Sequence, residues 1–206
     1  MHDYSARMPS ATPPDDVVRL DATRVKTLAH PLRSRLLSEL RRGGPATATT
    51  LATALQTNTG ATSYHLRRLA AVGLVRDTGE GTGKQRLWAA ATDYTQWDPS
   101  DFAGDEDAET ALNWLVRDYL RHFDTRFERW LDVEAHWPAP WRDALGMSDD
   151  AVLVTAEQAA AMSAELAEVV TRYRRVGQGN PQARRVAVYV TTYPIDLDRP
   201  PLAGRR

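Results

Sequence analysis

Residues 58–75 read NTGATSYHLRRLAAVGLV, and this stretch decides the fold of the first part of the chain. Asn58 is a favoured helix N-cap, and Gly73 suits the position just after a helix ends. Small and apolar residues recur at helical spacing on one side, namely Thr62, Leu66 and Leu69. The other side carries only polar or basic side chains, namely Thr59, Ser63, Tyr64, Arg67 and Arg68. Solvated helix faces commonly mix both signs of charge, so a face without any carboxylate indicates an anionic partner.

Further helices are predicted before this one. Residues 21–28 and 31–41 have helical spacing, and His30 separates them because the residue before a proline avoids the helical region. Thr47 is a good N-cap for a short helix that ends near Leu55. The short turn that follows would bring this helix and the one after Asn58 together as a helix-turn-helix pair.

A hairpin is predicted after Gly73. Residues 74–76 and 86–88 have the composition of short strands, and the tip between them contains Gly79, Gly81 and Gly83. Helices followed by a glycine-tipped hairpin form a winged helix-turn-helix, which we predict for residues 19–92.

The composition is that of a folded soluble protein, with 42% hydrophobic and 26% charged residues in 206. No run of about 18 apolar residues predicts a transmembrane helix. Residues 1–18 lack the apolar core of a signal peptide, and we expect them to form a disordered tail. The chain has no cysteine, which excludes disulfides and thiolate sites and agrees with the cytoplasmic location that we expect.

The charge is divided unevenly along the chain. Residues 21–90 carry eleven Lys or Arg and four Asp or Glu, a net charge of +7. Residues 91–206 carry thirteen and twenty, a net charge of −7. Chance segregation of surface charge is one explanation, and a polyanionic partner for the basic part is the other.

Double-stranded DNA is the polyanion that fits a winged helix-turn-helix, because its major groove is about 12 Å wide and admits one helix. Ser63, Tyr64 and Arg67 are the candidates for base edges or the nearby backbone, and Arg67 has the donors to pair with guanine. Gly60 would allow close approach of the backbone. Phosphate contacts are predicted for the flanking and hairpin residues, namely Thr59, Arg68, Lys84 and Arg86. We expect Lys84→Ala to weaken binding to all DNA alike.

Two segments carry a resemblance to a known family. LAHPLRSRLLSEL (28–40) and TATTLATALQTNTGATSYHLRRLAAVGLV (47–75), followed by a glycine-rich hairpin, resemble ArsR-type winged-helix transcriptional regulators of a two-domain, cysteine-free branch. The resemblance covers about residues 20–90. It implies a homodimer that binds an operator near a promoter and responds to a ligand. The base-reading positions of the family correspond to Thr59, Gly60, Ser63, Tyr64 and Arg67.

The remaining chain is predicted to form a second domain. Residues 93–108 are acidic and contain proline, and they are expected to be a linker. A long helix follows over 109–131, then a strand at 151–154, a helix at 155–175 and a strand at 185–192. We expect residues 109–195 to be a helical or α+β dimerisation domain and residues 196–206 a loose tail. The fold class is therefore mostly α with small β.

Aromatic residues concentrate in this second domain. A dimer interface together with internal core explains them, and a pocket for an apolar or aromatic effector is the alternative. The candidate pocket residues are Tyr119, Phe123, Phe127, Trp130, Trp137 and Trp141.

Metal sensing is a further alternative. Asp118 with His122, and Asp132 with His136, are each spaced four residues apart, so each pair could share one side of a helix. Such pairs also arise by chance, and we expect no metal and no cofactor. His65 is expected to be a half-buried packing residue under the hairpin.

No motif of an enzyme is present: the glycines of the hairpin are not followed by a helix, and no nucleophile elbow or metalloprotease spacing occurs. We therefore expect a non-enzymatic, sequence-specific DNA-binding regulator, acting as a dimeric repressor on a near-palindromic operator. The remaining alternative is a non-catalytic interaction module whose basic face binds RNA or an acidic partner.

Overall fold

The computed structural model describes residues 17–83, 85–198 and 200. It divides into an N-terminal unit that ends at Glu128 and a C-terminal unit that begins at Arg129. This boundary lies inside a long helix, whereas the sequence suggested a boundary in a linker over residues 93–108.

The N-terminal unit contains helices interleaved with short strands. Its elements are β1 (Val17–Arg19), α1 (Ala22–Leu28), α2 (Pro31–Gly43), β2 (Ala46–Thr47), α3 (Ala48–Ala54), α4 (Thr59–Ala71), β3 (Val75–Asp77), β4 (Leu87–Ala90), β5 (Tyr94–Gln96), a 3-10 helix (Pro99–Phe102) and most of α5 (Glu106–Val133).

Local capping signals set the ends of α3 and α4 as predicted. Thr47 Oγ1 accepts a hydrogen bond from the Thr50 N–H at 3.1 Å, and Asn58 Oδ1 accepts one from the Ala61 N–H at 2.7 Å. Gly73 follows α4 with a positive φ of 72°, a conformation that costs a residue with a side chain about 1–2 kcal/mol. The short turn between Leu55 and Asn58 therefore joins two capped helices.

The predicted hairpin is present as two strands of a three-stranded sheet. β3 and β4 are antiparallel, with Val75 opposite Ala90 and Asp77 opposite Trp88. β4 also pairs with β2 on its other edge, so the strand order is β2-β4-β3. The two-residue strand β2 was not predicted, because nothing local distinguishes so short a strand from the turn around it.

A second sheet, of two strands, contains residues that were expected to lie in the disordered tail and in the linker. β1 and β5 pair in parallel, so residues 17 and 18 of the expected tail are in a strand, while residues 1–16 lie outside the described residues. In the expected linker, β5 is followed by the 3-10 helix, whose Phe102 is buried. Arg19 pairs with Asp98 at 2.5 Å and with Asp101 at 2.6 Å. Parallel pairing between distant segments leaves no local sequence signal.

One hydrophobic core holds the N-terminal unit together. Leucines of α2 and α4 meet there, and the buried side chains of α5 belong to the same core, namely Ala108, Ala111, Leu112 and Leu115. The first half of α5 is therefore part of the N-terminal unit and does not start a separate domain.

The regular secondary structure of the described residues in the C-terminal unit is entirely helical. After the end of α5 come a 3-10 helix (Glu134–His136), α6 (Ala139–Ala144) and α7 (Ala156–Tyr173). The predicted capping box at the start of α7 is confirmed, because Thr155 and Gln158 exchange side-chain and backbone hydrogen bonds.

The strands predicted at 151–154 and 185–192 are wrong, since the structure has no strand in either segment. Their β-branched residues favour extended backbone, but a strand also needs a partner for its N–H and C=O groups. The dimerisation role of residues 109–195 stays a prediction. No helix among the described residues has the length and apolar character needed to cross a membrane.

Candidate nucleic-acid interface

The polar face of α4, which consists of Thr59, Gly60, Ser63, Tyr64, Arg67 and Arg68, points away from the core of the N-terminal unit. Thr62, Leu66 and Leu69 on the other side are buried. Within the described chain, none of the side chains of the polar face makes a hydrogen bond or an ion pair. Tyr64 is 52% exposed, and its ring makes an edge-to-face contact with the ring of His65. The face therefore presents free donors and acceptors to an external partner.

A cleft runs along one flank of this face, between α4 and the sheet. We call it the hydroxyl cleft; its volume is about 240 Å³, and its lining residues are Thr47, Ala48, Thr49, Thr59, Ser63, Arg67, Gln85, Arg86 and Trp88. Hydroxyl groups and two guanidinium groups are donors that suit phosphate oxygens. The cleft thus brings Thr59, Ser63, Arg67 and Arg86 together, as the predicted interface requires.

The hairpin holds its basic residue at the edge of this cleft. Arg86 Nε lies 3.5 Å from Asp77 Oδ2 across the hairpin, and both side chains remain partly exposed. A Cβ at Gly81 would lie 2.0 Å from the backbone oxygen of Gln85, so only glycine fits this tip. Lys84, which was predicted to bind phosphate, lies outside the described residues.

The charge pattern of the unit leaves the exposed arginines of α4 uncompensated. Several other basic side chains of the unit do have a carboxylate within 4 Å, namely Arg19, Arg24, Lys26, Arg42, Arg86 and Arg121. Arg67 and Arg68 have no such partner in the described part of the chain. Uncompensated positive charge on an exposed helix attracts polyanions.

His65 packs beside this face, against the start of α2. Its ring stacks on the ring of His30, with the centroids 4.4 Å apart, and its side chain is half-buried. The predicted packing role is supported, but the partner is the start of α2, which the sequence did not indicate.

Comparison with known proteins agrees with this geometry. Residues 28–78 match the family model of a helix-turn-helix domain. The match includes α2, α3, α4 and β3, and it suggests a DNA-binding regulator of transcription. No curated protein matches the chain at a significant level.

The candidate effector residues fall into two groups. Trp130, Trp137 and Trp141 form an edge-to-face series in the C-terminal unit, with successive centroids 5.4 and 5.8 Å apart. In the N-terminal unit, Phe123 stacks on Phe127 at 5.6 Å. The sixth residue, Tyr119, packs on Trp97 with the centroids 6.1 Å apart. Burial raises the pKa of the Tyr119 hydroxyl, which also bonds to Thr95, so this side chain belongs to the core.

The candidate metal pairs differ from each other in their surroundings. Asp118 Oδ2 lies 3.5 Å from His122 Nδ1, but the same oxygen also accepts a hydrogen bond from Ser34. Asp132 and His136 are exposed. No group of three or more His, Asp or Glu side chains with metal-binding geometry occurs among the described residues.

Several residues at the interface were not found from the sequence. Thr49 and Gln85 line the hydroxyl cleft, and Thr47, identified only as a cap, lines it too. Arg33 of α2 lies close enough to Arg68 for the two charges to interact. Only tertiary packing brings these residues to α4. The basic character of the segment HPLR at 30–33 could nevertheless have indicated Arg33.

Proposed function

We propose that the protein is a sequence-specific regulator that binds double-stranded DNA through the polar face of α4. The observation that carries the proposal is that, within the described chain, no polar side chain of that face makes an intramolecular hydrogen bond or ion pair. Water satisfies exposed polar groups, but a basic face without any compensating carboxylate attracts a polyanionic partner. The proposed regulator is a non-catalytic repressor of the ArsR type.

In the proposed complex, α4 enters the major groove and the hairpin lies along the adjacent backbone. Arg67 would read a guanine, and Ser63 and Tyr64 would contact base edges or the nearby backbone. The hydroxyl cleft would hold the phosphates of one strand through Thr49, Thr59 and Arg86, which line it beside α4.

We further propose that two copies bind a near-palindromic operator, with half-sites about one helical turn apart. The C-terminal unit supports a second copy as the partner. No residue of the amphipathic helix α7 is buried, and Leu166, Val169 and Tyr173 are exposed at helical spacing on one side of it. A two-fold dimer would cover this side of α7 with its equivalent.

The tryptophan series of the C-terminal unit supports a response to an apolar or aromatic ligand. Trp130, Trp137 and Trp141 are half-buried and close together, so a ligand that enters between them would change their emission. A panel of aromatic compounds tested by tryptophan fluorescence and by DNA binding would check this. Any true effector must change both signals.

The experiment for the main proposal is selection of bound sequences from a random duplex library, followed by competition. We expect one enriched near-palindromic sequence, bound at least about 10³-fold more tightly than random duplex. Equal competition by single-stranded or duplex RNA would instead support the RNA-binding alternative. Restoration of binding only by added zinc after chelation would support the metal-responsive alternative.

A further inference from the structure

A second flank of the polar face of α4 carries a group of basic side chains. We call His30, Arg33, His65 and Arg68 the basic cluster. His30 caps α2, since its Nδ1 accepts a hydrogen bond from the Leu32 N–H at 3.1 Å. Its ring stacks on His65 of α4, with the centroids 4.4 Å apart and the planes at 40°. The stack fixes the start of α2 against α4.

Two guanidinium groups complete the basic cluster. Arg33 Nε donates to the Thr27 carbonyl oxygen, which holds the guanidinium in place and leaves its outer nitrogens available. Partial burial, and after it the nearby charge of Arg68, lowers the pKa of Arg33. Arg68 itself is exposed. Two like charges are therefore held close together at the surface.

No carboxylate of the described residues forms an ion pair with these side chains. The charged or titratable neighbours that shift the pKa values of His30, Arg33 and His65 are His30, Arg33, Tyr64 and Arg68. Among the described residues, none of these neighbours is an Asp or Glu. The basic residues of α1, in contrast, are compensated by carboxylates, because Arg24 pairs with Asp21 and Lys26 pairs with Asp105. A like-charged group that is prearranged and unpaired has the properties of an anion site.

The position of this cluster on α4 is opposite to the hydroxyl cleft. With 100° of rotation per residue, Thr59 and Ser63 lie on one side of Arg67, and His65 and Arg68 lie on the other. α4 thus has anion-binding groups along both edges of its polar face. A major groove is bounded by a phosphate backbone on each side, about 12 Å apart.

We propose that the basic cluster binds a backbone phosphodiester of DNA. This phosphodiester lies on one side of the major groove, and the hydroxyl cleft contacts the backbone on the other side. Arg33 and Arg68 donate to the phosphate oxygens, and the stacked histidines position them. The inference rests on the proposed function, because it assigns a further contact in the same complex. It adds α2 to the DNA-binding surface.

The test measures DNA affinity of the full chain by fluorescence anisotropy over a series of salt concentrations. It uses both the selected duplex and a random duplex. For Arg33→Gln and Arg68→Gln together, we expect weaker binding to both duplexes by the same factor. The slope of log K against log salt should fall in magnitude by about 0.9, the value for one lost phosphate contact. Arg68→Lys keeps the charge and should keep most of the slope.

Arg35→Gln is the matched control. Arg35 is an exposed arginine of α2, as Arg33 is part of α2, but its side chain faces His122 and not α4. It should leave both affinity and slope unchanged. Arg68→Gln alone alters only an exposed side chain, so it remains informative if Arg33→Gln disturbs folding.

Three results would overturn the inference. Arg33 and Arg68 variants that behave like Arg35→Gln would show that the basic cluster does not touch DNA. A loss confined to the selected duplex would make these residues base readers and not phosphate ligands. A wild-type chain that binds no duplex DNA would remove the proposed function and this contact with it, whereas the first two results leave the proposed function intact.

Discussion

Ser34 of α2 donates a hydrogen bond of 2.7 Å to Asp118 of α5, and both side chains are buried. Asp118 also lies 3.4 Å from Arg121 and 3.5 Å from His122 on its own helix. A buried carboxylate is tolerated only where donors satisfy it. The bond therefore connects α5 to the helix whose start packs on α4.

Removal of the serine hydroxyl should destabilise the protein. Ser34→Ala leaves a buried carboxylate oxygen with one donor fewer, so we expect a loss of about 1–3 kcal/mol in the free energy of unfolding. Urea unfolding followed by circular dichroism measures it. Ser38→Ala is the control, since Ser38 lies one turn later on α2 without a side-chain hydrogen bond in the described chain. Equal effects of both substitutions would show that the bond contributes nothing.

Acid should destabilise the protein through the stacked histidines. Burial, followed by neighbouring positive charge, lowers the pKa of both His30 and His65. The unfolded chain therefore binds protons more readily than the folded chain. Stability is full above the ordinary imidazole pKa of about 6.5, and it falls as the pH drops from there through the lowered folded values. Protonation of His30 also removes the acceptor that caps α2.

The measurement for this prediction is the free energy of unfolding between pH 7.5 and pH 5. His30→Asn keeps a capping acceptor, and together with His65→Gln it should flatten the dependence on pH. A remaining slope is expected from His122, whose pKa is lowered by burial first. A double variant with the full wild-type slope would contradict the assignment.

Substitution of Gly60 should separate stability from DNA binding. A Cβ at this helical position would meet only Asn58 Oδ1 at 3.4 Å, an ordinary contact. Gly60→Ala should therefore leave stability unchanged or raise it by up to about 1 kcal/mol. It should weaken binding to the selected duplex, because the methyl group stands where backbone and DNA approach each other. Unchanged affinity would place Gly60 outside the interface.

A lysine on the apolar side of α7 should disrupt the proposed dimer. Val169→Lys places a charge at a residue that is 44% exposed in the single chain, so the monomer should fold normally. Sedimentation should then report monomers in place of dimers. Ala164→Lys introduces the same charge on the opposite side of α7 and should leave the dimer intact. Dimers that persist in both variants would move the interface elsewhere.

The parts of the fold that were predicted correctly depend on signals within one helical turn. Asn58 and Gly73 bound α4 as expected, and Pro31 starts α2, because capping and proline geometry act locally. The polar face of α4 was predicted for the same reason, since helical periodicity alone determines which residues share it.

The parts that were missed depend on partners far away in the sequence. β1 pairs with β5, and neither segment shows which strand it will meet. Conversely, residues 185–192 have strong β propensity but form no strand, since propensity supplies no partner. The same reason explains why Thr49 and Arg33 were not identified, because only packing brings them beside α4.

The most direct test of the central claim is a methylation-interference experiment at the guanines of the selected duplex. Methylation of guanine N7 in the major groove should block binding of the wild-type protein at one position in each half-site. Arg67→Ala should bind about 1–3 kcal/mol more weakly and should be insensitive to methylation at that position. If methylation of every guanine affects wild type and Arg67→Ala alike, Arg67 does not read a base and α4 does not lie in the groove as proposed.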